Sequence, residues 1–190
     1  MSEIIFLQSQ RLHLRALTEK DLTKEYLQWL NDEEVCRYNS HAIFPNTEQK
    51  MKNYFDRLDS QREVVLAIID VNFNKHIGNI SLQNINWVSR NAEFAILLGD
   101  KNYWGKGYGE EAAKLIVCYG FERLNLHRIY CGTFEGNEGM RKLAVKLNMK
   151  EEGIRREAMY KHGEYVDIIE YGVLRNEFLN SGGSRNEDQR

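Results

Sequence analysis

The segment WGKGYGEEA, residues 104–112, sets Gly105, Gly107 and Gly109 at alternate positions between an apolar run and a helical pattern. Each glycine there costs backbone entropy, so three together imply either a tight turn or a main chain that must approach something closely. Phosphate is the ligand such a loop suits. Small residues let backbone N–H groups reach phosphate oxygens, and the helix that follows presents the positive end of its dipole. No Gly-Lys-Ser/Thr ending is present, which excludes a Walker loop, and G-x-G-x-x-G would need glycine at position 110, where Glu110 stands. From the residues alone, a generic diphosphate cradle, to which Lys106 could add charge, stands against glycines that only turn the chain.

Other reactive side chains point nowhere specific. His13, His41, His76, His127 and His162 show no metal-ligand spacing, so no metal is expected. Cys36, Cys118 and Cys131 are odd in number and widely spaced, which argues against a disulfide framework or a zinc site and for free thiols in a reducing cytosol. Trp29, Trp87 and Trp104 read as packing residues, with Trp104 bordering the glycine loop. The 26 basic and 28 acidic residues are interspersed and leave a formal charge of -2, which carries no nucleic-acid footprint. The longest apolar run near the start, residues 4–7, is far too short for a membrane span or a signal sequence. These features predict a soluble, cytoplasmic protein.

The elements that must position the loop follow from periodicity. At 190 residues one domain with one core is expected, over residues 1–179, with a polar, disordered tail at 180–190. Strands are predicted at 11–17, 63–70, 76–88, 92–98, 128–134, 149–160 and 165–175, the last two joined by a turn in which Gly163 supplies a positive φ. Helices are predicted from Thr18, with Asp21 as its capping-box partner and Leu22, Tyr26, Trp29 and Leu30 as its stripe; from Thr47; from Gly107 to Leu124; and from Asn137. Residues 63–98 read as an antiparallel meander.

Four separated stretches, in order, resemble one family. Residues 92–116, AEFAILLGDKNYWGKGYGEEAAKLI, are similar to the coenzyme A signature of the GNAT superfamily of N-acetyltransferases, Gln/Arg-x-x-Gly-x-Gly/Ala after the fourth strand. Gly107 and Gly109 match it, and Trp104 replaces the Gln/Arg, as in the RimJ/RimL-type branch. SQRLHLRALTEKDL resembles the opening of RimJ/RimL-type and spermidine N-acetyltransferases, LNLHRIYCGTFEGN their fifth strand with its asparagine, and EEGIRREAMYKHGEYVDIIEYGVL their closing hairpin. The resemblance spans residues 10–178.

It implies an α/β fold: a mostly antiparallel twisted sheet, splayed between the fourth and fifth strands, with helices on both faces. It implies acetyl-CoA as cosubstrate and direct attack of an amine on the thioester without an acyl-enzyme. Backbone groups of Ile96, Leu97 and Leu98 would pair with the cofactor, and the loop of Trp104, Gly105, Lys106, Gly107, Tyr108 and Gly109 would hold its pyrophosphate. Glu93 would be the base and Asn137, also a good helix N-cap, would contact the cofactor or a water. The chain departs from the family where a tyrosine or serine protonates the leaving thiolate: Ala144 and Met140 stand there. Tyr160, Tyr165, Cys131 or a water on Asn137 are the substitutes the sequence offers. The expected acceptor is a small-molecule amine, either a polyamine or a nucleotide-linked amino sugar, with a protein N-terminus and a CoA-binding module without turnover as alternatives. Homodimers are frequent among similar proteins, and pairing at the edge of the last hairpin would be one route.

Overall fold

The period-2 segments become eight strands in the computed structural model, which describes residues 4–59 and 61–180. They are β1 (Leu7–Gln8), β2 (Leu12–Ala16), β3 (Val64–Asp70), β4 (Lys75–Asn86), β5 (Asn91–Leu98), β6 (Arg128–Phe134), β7 (Lys150–Lys161) and β8 (Glu164–Leu174). One sheet holds them in the order β1-β2-β3-β4-β5-β6-β8-β7. Every neighbouring pair is antiparallel except β5 and β6, which run parallel. Because β1 adds a short strand that the pattern does not announce, the fourth and fifth strands of the sequence reading are β5 and β6.

Helices cover both faces. Leu66, Ile68, Ile80, Leu82, Phe94 and Ile129 point to one face, where they pack with Ala112, Ile116 and Val117 of α3 (Tyr108–Glu122) and Ala144 of α4 (Glu138–Lys146). The alternate residues Ala67, Ile69 and Leu97 face the other side, with Tyr26 and Leu30 of α1 (Lys24–Asn31) and Met51 and Phe55 of α2 (Glu48–Phe55). The period-2 alternation of β3 and β5 thus separates a large core from a smaller one.

Most boundaries fall within two residues of the sequence reading, and the larger differences lie at the first helix and the C-terminal end. Thr18 does begin a capping box, its N–H and Oγ1 donating to Asp21 Oδ2 at 2.7 and 2.9 Å, but the box closes only the 3-10 turn Glu19–Asp21. Arg15 of β2 takes the same carboxylate through both Nη atoms at 2.7 Å, which ties Asp21 to the sheet, and α1 starts later, capped by Thr23. The Thr47 start is as expected, its hydroxyl accepting from Lys50 N. The last strand stops at Leu174, and Arg175–Asn180 form a helix, α5, which takes in the first residue of the tail expected at 180–190; the rest of that tail, from 181 on, lies outside the described residues. Cys36, Cys118 and Cys131 are buried, and none is in a disulfide. Among the described residues no helix is long and apolar enough to cross a membrane.

Candidate active site

Glu93 stands where the sheet comes apart. Parallel pairing of β5 with β6 covers only Asn91↔Arg128, Ala92↔Ile129 and Glu93↔Tyr130, whereas β5 stays paired with β4 as far as Leu98 and β6 with β8 as far as Phe134. Beyond Glu93 and Tyr130 the two strands diverge into a fork, and the β6-facing edge of residues 94–98 has no strand partner among the described residues. Alternation sends Phe94 into the large core, 2% exposed, and Glu93 to the opposite face, where it is half-buried. Its Oε2 accepts from Asn84 Nδ2 at 2.9 Å.

Asn84 reaches Glu93 because β4 carries a bulge between Gln83 and Asn86 in which Asn84 takes φ 53°. A bulge inserts one residue and re-aims the side chains around it. The sequence does hold a trace of it: Leu82 and Ile85, both buried in the same core, are three residues apart, an odd spacing that strict alternation would send to opposite faces.

The glycine loop forms at the end of β5. Gly105 and Gly107 adopt φ of 69° and 82°, left-handed values that a side chain would strain, and Gly107 occupies the N-cap of α3 without any side-chain cap. Added Cβ atoms would find open space at Gly105 and only Arg11 Nη2, at 3.5 Å, at Gly107. The backbone N–H groups of residues 105–110 meet no acceptor among the described residues. A helix N-terminus whose donors are free and whose approach is unobstructed fits the diphosphate of a CoA-type carrier.

Long-range contacts hold the loop. The Trp104 indole donates to Leu98 O at 2.7 Å and so ties the loop to the end of β5. Of the three backbone positions expected to pair with the carrier, Leu98 therefore has its carbonyl engaged by the protein itself; Ile96 and Leu97 do not share that contact. Arg11, which the sequence reading did not single out, binds Glu111 Oε2 through Nε at 2.7 Å, donates to Lys106 O at 3.1 Å and stacks over the Tyr108 ring at 4.3 Å. It thereby braces Lys106, Gly107 and Tyr108 from a hundred residues away. Glu110, the other acid of this first turn, is ion-paired to Lys114 and Lys146, which hold its carboxyl below the usual range. Both acids beside the free N–H groups are thus matched by cations.

Asn137 caps α4, its Oδ1 accepting from Met140 N at 3.1 Å. Its N–H donates to Phe134 O at 2.9 Å, so α4 starts directly beyond the end of β6, and Lys146 at the other end of the helix meets Glu110. The predicted site residues thus fall into the loop at residues 104–109, the β5 arm of the fork with Glu93, Ile96 and Leu97, and Asn137 beyond the end of β6.

The proposed proton donors separate as well. Cys131 points into the core against Met149 Sδ at 3.6 Å, and burial, followed by the charges of Glu170 and Glu93, pushes its thiol up to about 12. That removes it as a nucleophile or as a donor on the cleft side. Ala144 is fully buried. Tyr160 and Tyr165 pack edge-to-face, with ring centroids 5.1 Å apart, at the exposed tip of the β7–β8 hairpin. A phenol the sequence reading passed over, Tyr130, lies across from Glu93 at the fork; burial first, then Glu93 and Glu170, raise its pKa.

On the same face, Tyr38 packs edge-on against Phe134 at the end of β6, and Lys161 of the hairpin donates to Cys36 O and Asn39 O. Between this loop and the hairpin tip lies a cavity of about 290 Å³, with Cys36, Ala42 and Ile43 on one wall and Tyr160, Lys161 and His162 on the other.

Residues 11–150 match the model of the acetyltransferase (GNAT) domain. The chain belongs to the GNAT family of acetyltransferases. Spermidine N(1)-acetyltransferase of Escherichia coli K12 is 30% identical over 167 residues, 87% of each chain. The uncharacterized N-acetyltransferase YoaA of Bacillus subtilis is 29% identical over 172 residues, 89% of this chain and 96% of that one. The crystal structure of spermidine N-acetyltransferase from Vibrio cholerae in complex with CoA and spermine superimposes with a TM-score of 0.81 at 26% identity, covering 90% of this chain and all of the other. The protein is therefore an acyltransferase, of a family that uses acetyl-CoA.

Proposed function

We propose that this GNAT acetyltransferase moves an acetyl group from acetyl-CoA directly to a primary amine of a small, cationic acceptor of the polyamine kind. The observation that carries the reading is the fork: pairing between β5 and β6 ends at Glu93, on the face opposite the large core, with the N–H cradle at the far end of β5. Bound along that path, acetyl-CoA would supply a thioester whose carbonyl carbon faces the fork. Free N–H groups of residues 105–110 would bind the diphosphate, and Ile96 and Leu97 would offer backbone along the open edge of β5. The attacking nitrogen is protonated near neutral pH and must first lose a proton. Glu93, oriented by Asn84, is the carboxylate placed to accept it.

No acyl-enzyme is invoked, since the thiol on the β6 arm of the fork, Cys131, faces the core and keeps its proton. For the leaving sulfur, the Tyr130 phenol takes the place left by Ala144 and Met140, because it lies at the fork and retains its proton.

A cationic acceptor is favoured over a nucleotide-linked sugar because the arginines near the fork are spent within the protein: Arg128 on Glu152 and Arg155 on Glu170. A nucleotide would need free cations. Two relatives named as spermidine acetyltransferases point the same way. The test is release of free thiol from acetyl-CoA with a panel of polyamines, sugar nucleotides and peptide N-termini. Turnover with polyamines is expected, and turnover confined to sugar nucleotides or peptides overturns the acceptor class. Binding of CoA with no thiol release from any amine would make the chain a binding module.

A further inference from the structure

A carboxylate that neither the family resemblance nor the sequence pattern singles out lies across the fork from Glu93. Glu170 of β8 pairs with Gly132 of β6, two positions past the last β5–β6 pair. A Cβ added to Gly132 would stand 3.2 and 3.3 Å from the two carboxylate oxygens of Glu170. The side chain therefore leans sideways over β6, into space that only glycine leaves free. Strand spacing of about 4.8 Å and a rise of about 3.3 Å per residue put the point above Gly132 about 8 Å from the Glu93 Cα, before the divergence of the strands widens it.

The neighbours of Glu170 on the same face are Ile168, which crowds the Gly132 position at 3.0 Å, and Arg128, whose guanidinium lies over Gly172 and is held by Glu152. The single polar contact of Glu170 is with Arg155 Nε, through Oε1, at 2.5 Å, and that arginine is 64% exposed. Exposed pairs of this kind contribute little to stability. Oε2 has no donor among the described residues, although the glutamate side chain is only 29% exposed. Arg155 thus orients one oxygen from the strand edge and leaves the other turned over the fork.

We propose that Glu170 is the carboxylate that holds the acceptor's ammonium group at the fork, as a binding residue distinct from the base. The inference rests on the amine-acetylation reading above. The ammonium enters between two arms, Glu93 on β5 and Glu170 over β6, and its charge is matched before the proton leaves for Glu93. A single charge-assisted contact of this kind sets acceptor KM by about 10-fold or more.

The experiment is steady-state thiol release with a polyamine acceptor at several ionic strengths, on the wild type, Glu170→Gln, Glu170→Asp and Gly132→Ala. Glu170→Gln raises acceptor KM about 10-fold or more, a larger effect than any fall in kcat, with unchanged thermal stabilisation by CoA. Wild-type KM rises with salt, and that dependence flattens in Glu170→Gln because the screened charge is gone. Glu170→Asp restores part of the affinity. Gly132→Ala raises KM with Glu170 intact, because the methyl group displaces the carboxylate. Wild-type KM in Glu170→Gln overturns the proposal, as does a rise that is equal at every ionic strength and not rescued by aspartate. If the wild type releases thiol with no amine, the reading of the reaction fails and the role of Glu170 falls with it.

Discussion

Substituting Gly107 separates a glycine that merely turns the chain from one that admits a ligand. At φ 82° an alanine is strained by about 1–2 kcal/mol, while its Cβ would touch only Arg11 Nη2 at 3.5 Å, an ordinary contact. For a chain of this length 1 kcal/mol shifts Tm by about 2–4 °C, so Gly107→Ala should lower the ligand-free Tm by about 2–8 °C. CoA at about a hundred times its Kd stabilises the wild type by about 2.7 kcal/mol, a rise of about 5–10 °C. If the N–H groups of residues 105–110 grip the diphosphate, the added carbon stands in their approach and that rise collapses. Asparagine tolerates the left-handed region better than alanine but is bulkier. Gly107→Asn should therefore lower the ligand-free Tm less than Gly107→Ala and lose the CoA response as fully. Differential scanning fluorimetry with and without CoA reads both quantities. Two variants that melt earlier yet keep the full CoA shift would refute the cradle.

Three further outcomes follow from the same geometry. Glu93→Gln should slow thiol release by about 10²–10⁴-fold, the usual contribution of general-base catalysis, with CoA affinity unchanged; full turnover would remove Glu93 as the base. Arg11→Ala, and equally Arg11→Lys, which cannot reproduce the guanidinium fork, should weaken CoA binding about 10-fold by releasing Glu111, Lys106 O and the Tyr108 stack, measurable by calorimetry. Burial pushes the Asp21 carboxyl up, but Arg15 and the N–H and hydroxyl of Thr18 outweigh it and hold its pKa below the usual value. A depressed folded-state pKa means that its stabilisation is complete above the unfolded value of about 3.9 and is lost as pH falls below that. Asp21→Asn, which removes the counter-charge of a buried arginine, should cost about 3–5 kcal/mol at pH 7, on the order of 10 °C in Tm, and flatten the acid limb of a Tm–pH profile.

Local patterns carried much of the fold. The hairpin turn at Gly163, the Thr47 and Asn137 caps and the β6 span 128–134 lie where residue type and period place them, because each depends on neighbours a few residues away. The early helix start at Thr18 failed because its capping partner Asp21 is shared with Arg15, six residues back on β2, a pairing of strand with turn that helical periodicity within residues 18–30 does not contain.

What the amino-acid order determined by itself was the glycine loop with a helix start behind it: Gly105 and Gly107 can take positive φ without strain, and Tyr108–Glu122 continue as a helix. The geometry of the proposed site was decided only in three dimensions. A fork exists because parallel pairing stops after three residues, and Asn84 meets Glu93 only through a bulge. Glu170 overhangs β6 only because strand register sets Gly132 beside it. Register and strand divergence belong to pairs of strands, so no single segment of sequence encodes them.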